Sequence, residues 1–186
     1  MSKPRERLLG TAGRLFGERG YECVGINEII AKAEIAKATF YQHFPSKEAL
    51  CAEWLRTEMD KFAGMHQELL DDPRPARKKV TEMFDRLSCY VEGSGFNGCP
   101  FCVTAAMIGA DSEIQEVILN FRERSRSFWH SVAREMGVKA AAARNLGDAW
   151  LLLHTGAVTE AQNVGAAWPV EQAKKAALVL ADSATK

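Results

Sequence analysis

The densest pair of reactive side chains is Cys99-Pro100-Phe101-Cys102. Two thiols at this spacing suit thiol–disulfide exchange when a helix N-terminus lowers the pKa of one of them. That chemistry belongs with flanking strands, and no period-two alternation is readable on either side, so an enzyme of this kind is not the expectation. A zinc site would need a second ligand pair at matching spacing, and His43, His66, His130 and His154 are scattered without it. No metal and no cofactor is expected. Cys99 keeps some chemical content, because it follows the Gly-rich turn at 93–98 and opens a short helix whose amides would favour a thiolate. Cysteines outside such a context are small hydrophobes, the default for Cys23, Cys51 and Cys89.

A second cluster is polar and not catalytic. Lys37, Thr39, Tyr41, Gln42 and His43 lie within seven residues, and Lys47 follows closely. All can donate hydrogen bonds, which suits phosphate oxygens and base edges in a DNA major groove. A pair of core helices with a solvated polar face would carry the same residue types.

These side chains need a scaffold, and the apolar spacing supplies one. Ile26, Ile29, Ile30 and Ala33 fall at i, i+3, i+4 and i+7, predicting a short amphipathic helix with Asn27, Glu28 and Lys32 toward water. Ala33-Glu34-Ile35-Ala36 makes a turn with Ile35 packed beneath it. A second short helix buries Phe40 and Phe44 and leaves the polar cluster outside. Residues 26–44 therefore read as a helix-turn-helix. Lys47 opens the next helix, where a cation and unpaired amides together can grip a phosphate.

The rest of the chain is helical by the same criterion. A first helix runs from about Pro4 to Arg19 on Leu8, Ala12, Leu15 and Phe16, and Gly20 ends it. Arg5, Arg7 and Arg14 lie on or near its wet side. A long helix from about residue 45 to Leu70 places Leu50, Trp54, Met59 and Phe62 inward. Helices over Ala76–Glu92 and Pro100–Ile108 follow. Ser112 and Gln115 form a capping-box start for a helix on Ile114, Val117, Ile118, Phe121, Phe128 and Val132, ending at Gly137 and nearly ~40 Å long. Two Ala-rich helices, Ala140–Val164 and Pro169–Ser183, close the chain. Their small residues suit a helix-on-helix dimer interface or close packing of the core.

Composition is consistent with this architecture. Of the 186 residues 47% are apolar and 26% charged, which fits a packed globular fold and excludes a disordered one. Net charge is zero, but residues 1–47 carry eight Lys/Arg against five Asp/Glu, which puts the basic end where the helix-turn-helix lies. No apolar run approaches the roughly 18 residues of a membrane span, and the N-terminus lacks the apolar stretch of a signal peptide. A cytoplasmic protein with reduced thiols is expected, with no membrane partner.

Phe16-Gly17-Glu18-Arg19-Gly20-Tyr21, followed by the unbroken run from Ile29 to Leu50 with its Phe40-Tyr41-Gln42-His43-Phe44-Pro45-Ser46-Lys47-Glu48, resembles the headpiece of the TetR/AcrR family of bacterial repressors. The resemblance covers about fifty residues. It implies an all-α protein: a three-helix DNA-binding domain at residues 1–47 and a larger helical effector-binding and dimerisation domain at residues 48–186. It further implies a homodimer on a near-palindromic operator in double-stranded DNA, with Lys37, Thr39, Tyr41, Gln42 and His43 toward DNA and Lys47 on phosphate. Two positions depart from the family pattern: Glu34 stands at the usual turn glycine, and Ala36 at the usual capping serine. Alanine cannot cap, which costs the recognition helix up to ~1 kcal/mol.

For the signal, a small apolar effector is expected against Phe62, Met83, Phe84, Tyr90, Phe101, Met107, Phe121, Trp129 and Trp150, since aromatics and methionines make adaptable walls. The same stripes would also serve as plain core. Cys99 offers a different signal. Its Gly-Cys turn, with Glu34-x-x-Lys37, resembles the branch of the family that senses oxidants or electrophiles through a cysteine.

Overall fold

The computed structural model of the chain describes residues 3–109 and 112–184. Among these every regular element is a helix: α1 (Lys3–Arg19), α2 (Ile26–Ala33), α3 (Lys37–His43), α4 (Lys47–Asp71), α5 (Ala76–Glu92), α6 (Pro100–Ala105), α7 (Glu113–Arg134), α8 (Ala140–Val164) and α9 (Trp168–Ala184). They divide into two packed units. The first takes the described residues of Met1–Lys61 and Pro100–Phe121, and the second those of Phe62–Cys99 and Arg122–Lys186.

In the first unit α1 packs on α2 and α3 through Leu8, Ala12, Leu15 and Phe16, all buried. Gly20, in the left-handed region at φ +80°, ends α1 and donates its amide to the Phe16 carbonyl at 2.9 Å. Ser46 caps α4, its hydroxyl accepting from the Ala49 amide at 3.0 Å. The start of α7 is held within the same unit: the Ser112 hydroxyl accepts from the Gln115 amide at 3.1 Å, the Glu48 carboxylate accepts from the Glu113 amide at 2.9 Å, and Arg56 pairs with Glu113 at 2.9 Å.

The core of the second unit is built from Val80, Met83, Phe84 and Leu87 of α5, Phe128, Trp129 and Val132 of α7, and the facing sides of α8 and α9. Alanines at 157, 161, 173, 177 and 181 are buried, so α8 and α9 lie close together, and Trp150 Nε1 donates across to the Ala177 carbonyl at 3.0 Å. Lys79 is buried, and its ammonium is satisfied by the Leu70 carbonyl at 3.2 Å and Glu135 at 2.7 Å.

Gly147 is where α8 meets α7 backbone to backbone. A methyl group there would sit 2.9 Å from both the His130 nitrogen and the Trp129 carbonyl carbon. Gly147→Ala should therefore lower stability by ~1–3 kcal/mol, overriding the gain in helix propensity. Gly64→Ala, in α4 with open space around it, should gain up to ~1 kcal/mol. Urea unfolding of the two variants checks the pair, and equal stability of Gly147→Ala and the native chain would refute the close approach.

Three expectations shift. α6 ends at Ala105 rather than Ile108, because the Met107 amide turns back to the Thr104 carbonyl at 3.0 Å. α7 stops at Arg134, and Glu135–Gly137 close it as turns, with Gly137 at φ +72°. Its 22 residues span ~33 Å, not 40. Cys51 is buried as expected, but Cys23 and Cys89 are exposed and not packed, lying at a loop and on the outer face of α5.

Candidate nucleic-acid interface

α2 ends in a left-handed turn. The Ile35 amide reaches the Ile30 carbonyl at 3.1 Å and the Glu34 amide the Ala31 carbonyl at 3.1 Å, the paired bonds of a Schellman motif. That motif puts its central residue at positive φ, and Glu34 sits there at φ 50° where glycine would be unstrained. Its carboxylate is held by Arg7 at 2.8 Å, an exposed pair. Ala36 then occupies the cap position of α3 with no side-chain hydrogen bond, and the first helical bond runs from the Phe40 amide to the Ala36 carbonyl at 3.1 Å.

Glu34→Gly should stabilise the protein by ~0.5–1 kcal/mol, since it relieves the left-handed strain and loses only a surface pair. Ala36→Ser should add about 1 kcal/mol by capping α3. Thermal melts of the single and double variants test this, and a drop in melting temperature for Ala36→Ser would count against an uncapped start.

On α3 the buried side is Phe40, with Phe44 just beyond, their rings 6.4 Å apart. Lys37, Tyr41 and Gln42 are exposed on the other side, and Thr39 and His43 are half-buried at its margin. Tyr41 meets the edge of Phe40 at 5.1 Å but keeps 47% of its surface in solvent. The five side chains thus come from one two-turn helix held against α1 and α2. Lys47 is placed differently from its neighbours. Its ammonium donates to the Tyr21 carbonyl at 3.0 Å and rests 4.0 Å from the Tyr21 ring centroid. Burial pushes the Tyr21 phenol up to about 12, so the ring beneath the cation stays neutral.

The excess of positive charge in residues 1–47 is largely paired inside the unit. Arg5 pairs with Glu53, Arg7 with Glu34, Arg14 with Glu18, and Arg19 and Lys32 with Glu28. Only the i,i+4 pairs, Glu28–Lys32 and Arg14–Glu18, could be seen in the sequence; the others join residues 9 to 48 positions apart. Among the described residues Lys37 has no acidic partner.

The aromatic candidates for an effector site fall into both units. Phe101 and Phe121 stack at 3.7 Å in the first, where the Met107 side chain lies against Gly20. Phe62, Met83, Phe84, Tyr90, Trp129 and Trp150 belong to the second. Phe84, Trp129 and Trp150 adjoin one another there, with centroids 6.0–6.2 Å apart from Trp129. Tyr90 is exposed and donates its hydroxyl to the Gly98 carbonyl at 3.2 Å, while Gln162 donates to the Asn97 carbonyl at 3.1 Å. Those two bonds pin the turn that carries Cys99, itself half-buried.

An all-helical chain whose N-terminal helices present a short polar helix on a buried apolar pair belongs to the helix-turn-helix class. More particularly, residues 8–53 match the model for bacterial regulatory proteins of the tetR family. The chain is 34% identical over 80 residues to the HTH-type transcriptional repressor KstR2 of Mycolicibacterium smegmatis, covering 43% of this chain and 39% of that protein. It is 37% identical over 67 residues to the HTH-type transcriptional repressor NemR of Escherichia coli, covering 36% and 32%. The matched segment thus spans well under half of those relatives. In three dimensions the likeness covers nearly everything: a TetR-family transcriptional regulator from Streptomyces coelicolor superposes with a TM-score of 0.91 at 22% identity, over 98% of this chain and 96% of that one.

Proposed function

We propose that the chain is a transcriptional repressor that binds operator DNA as a homodimer and is released by a small-molecule effector. The observation that carries this reading is α3, which lies in the segment that matches the tetR-family model and holds Lys37, Tyr41 and Gln42 in solvent with Thr39 and His43 half-buried beside them. Residues 1–47 are assigned to DNA and residues 48–186 to the effector and the dimer contact. Lys47 would swing from the Tyr21 carbonyl onto a phosphate at the start of α4. No helix among the described residues is long and apolar enough to cross a membrane.

Dimerisation is supported by the outer faces of α8 and α9. Leu152, Trp168 and Val179 are 71%, 55% and 63% exposed, and Leu180 is exposed beside them. An apolar surface of this kind fits a self-complementary contact. Two recognition helices must then lie about 34–36 Å apart to enter successive major grooves. An effector releases DNA only through its differential affinity for dimers of different spacing.

Footprinting on the DNA upstream of the chain's own gene, with sedimentation of the free protein, tests this reading. A regulator protects a short near-palindrome and discriminates against unrelated duplex by ~10³ or more. Equal protection of all sequences would mean a packaging protein, and a monomer in solution would remove the dimer.

A second signal is proposed at Cys99, favoured by its place in a turn pinned to α5 and α8 by Tyr90 and Gln162. Operator release by an electrophile should be lost in Cys99→Ser and kept in Cys23→Ser and Cys89→Ser, the two exposed thiols that serve as controls.

A further inference from the structure

α3 is only 7 residues long and starts without a side-chain cap, so its place depends on the packing that holds its end. Phe44, the residue that closes it, is buried, and the Arg5 guanidinium of α1 lies 5.4 Å from its ring centroid. Arg5 also pairs with Glu53 of α4. One side chain thus ties the end of α3 to both α1 and α4.

Glu53 serves two cations. Arg5 takes one carboxylate oxygen, and Arg56, one turn further along α4, stands 3.5 Å from the other. Arg56 is held more closely from elsewhere, because its second terminal nitrogen donates to Glu113 of α7 at 2.9 Å. The Glu113 carboxylate, ahead of Glu53, raises the Arg56 guanidinium above its ordinary pKa. Glu113 is itself fixed: its amide donates to the Glu48 carboxylate at 2.9 Å, and Ser112 before it caps α7. All of these residues belong to the first unit.

We propose that Glu113 is a positioning residue for operator binding: by drawing Arg56 aside it leaves Glu53 to Arg5, and Arg5 then keeps Phe44 and the end of α3 in place. This rests on the reading of α3 as the helix that meets DNA. With Glu113 neutralised, the Arg56 fork turns to Glu53 in a bidentate pair, the stronger geometry, and Arg5 loses its share of that carboxylate. A residue well outside the matched segment 8–53 therefore sets the helix inside it.

The test is fluorescence anisotropy of the full chain on the footprinted operator and on an unrelated duplex of equal length, with a thermal melt of each variant. Glu113→Gln keeps the shape of the side chain and leaves the backbone amide on Glu48. It should weaken operator binding about fivefold or more, since a cation–ring contact is disturbed in both halves of a dimer. Binding to the unrelated duplex should hold or improve, because the variant has one negative charge fewer. Adding Arg56→Gln removes the competitor for Glu53 and should restore operator affinity to within about twofold of the native chain. A plain ion pair between Arg56 and Glu113 predicts no such recovery. Unchanged operator affinity in Glu113→Gln overturns the proposal, as does a double variant no better than the single one. Equal weakening on both duplexes with a lowered melting temperature gives Glu113 a structural role alone and overturns it too. A native chain without preference for the operator would remove the reading of α3, and this inference with it.

Discussion

Replacing Tyr41 with alanine should leave the fold intact and lower operator affinity by roughly 30-fold to 10⁴-fold, because a base or phosphate contact is worth ~1–3 kcal/mol and a dimer makes it twice. Nearly half of the Tyr41 surface is in solvent, and among the described residues its one ring contact is with the edge of Phe40. Losing that contact costs ~1 kcal/mol or less. Phe40→Ala makes the contrast: Phe40 is fully buried between α1 and α2, and its truncation should cost ~3–5 kcal/mol and unfold the headpiece. Fluorescence anisotropy with the footprinted operator, alongside circular dichroism, separates the two outcomes. Native affinity in Tyr41→Ala would remove this residue from the DNA surface.

The second large effect is loss of stability in mild acid. Burial lowers His66 and His154 from an ordinary 6.5 to about 4, so between these values the unfolded chain binds protons that the folded chain refuses. Stability contributed by the two neutral imidazoles is therefore complete above pH 6.5 and falls as the pH drops toward 4, by up to about 3 kcal/mol for each group. Carboxylates held low by arginines act in a lower window: Asp148, paired mainly with Arg126 and also with His130, is well below the usual carboxylate range and loses its contribution only under stronger acid. Thermal unfolding between pH 7 and 4.5 should show a steep decline in the native chain and a much flatter one in the double variant His66→Gln, His154→Gln. A decline of equal slope in both would place the acid sensitivity elsewhere.

Much of this was legible in the sequence wherever a single stretch contains its own signal. Gly20 after the first helix and Ser112 with Gln115 at the start of α7 mark helix ends that local chemistry decides. The apolar pair Phe40 and Phe44 likewise fixes which side of α3 is wet. What could not be read depends on partners distant along the chain. Arg7 meets Glu34, Arg5 meets Glu53, and Lys47 meets Tyr21 only after the first unit folds, so the basic excess looked available for DNA when most of it is internally engaged. His66 and His154 are 88 positions apart and have no metal-ligand spacing; only the packing of α4 and α8 around Phe128 and Trp129 relates them. The aromatic positions read as one effector wall are divided between two units for the same reason.

The paired arginines of the first unit bear on how DNA affinity responds to ionic strength. A side chain that leaves Glu28 or Glu34 to reach a phosphate also frees a carboxylate near the polyanion, so it releases fewer condensed counterions than a bare cation would. The slope of log affinity against log salt should then be set chiefly by the three cations outside those pairs, Lys3, Lys37 and Lys47, near −0.9 for each phosphate they neutralise, and be shallower than the headpiece's eight basic residues suggest.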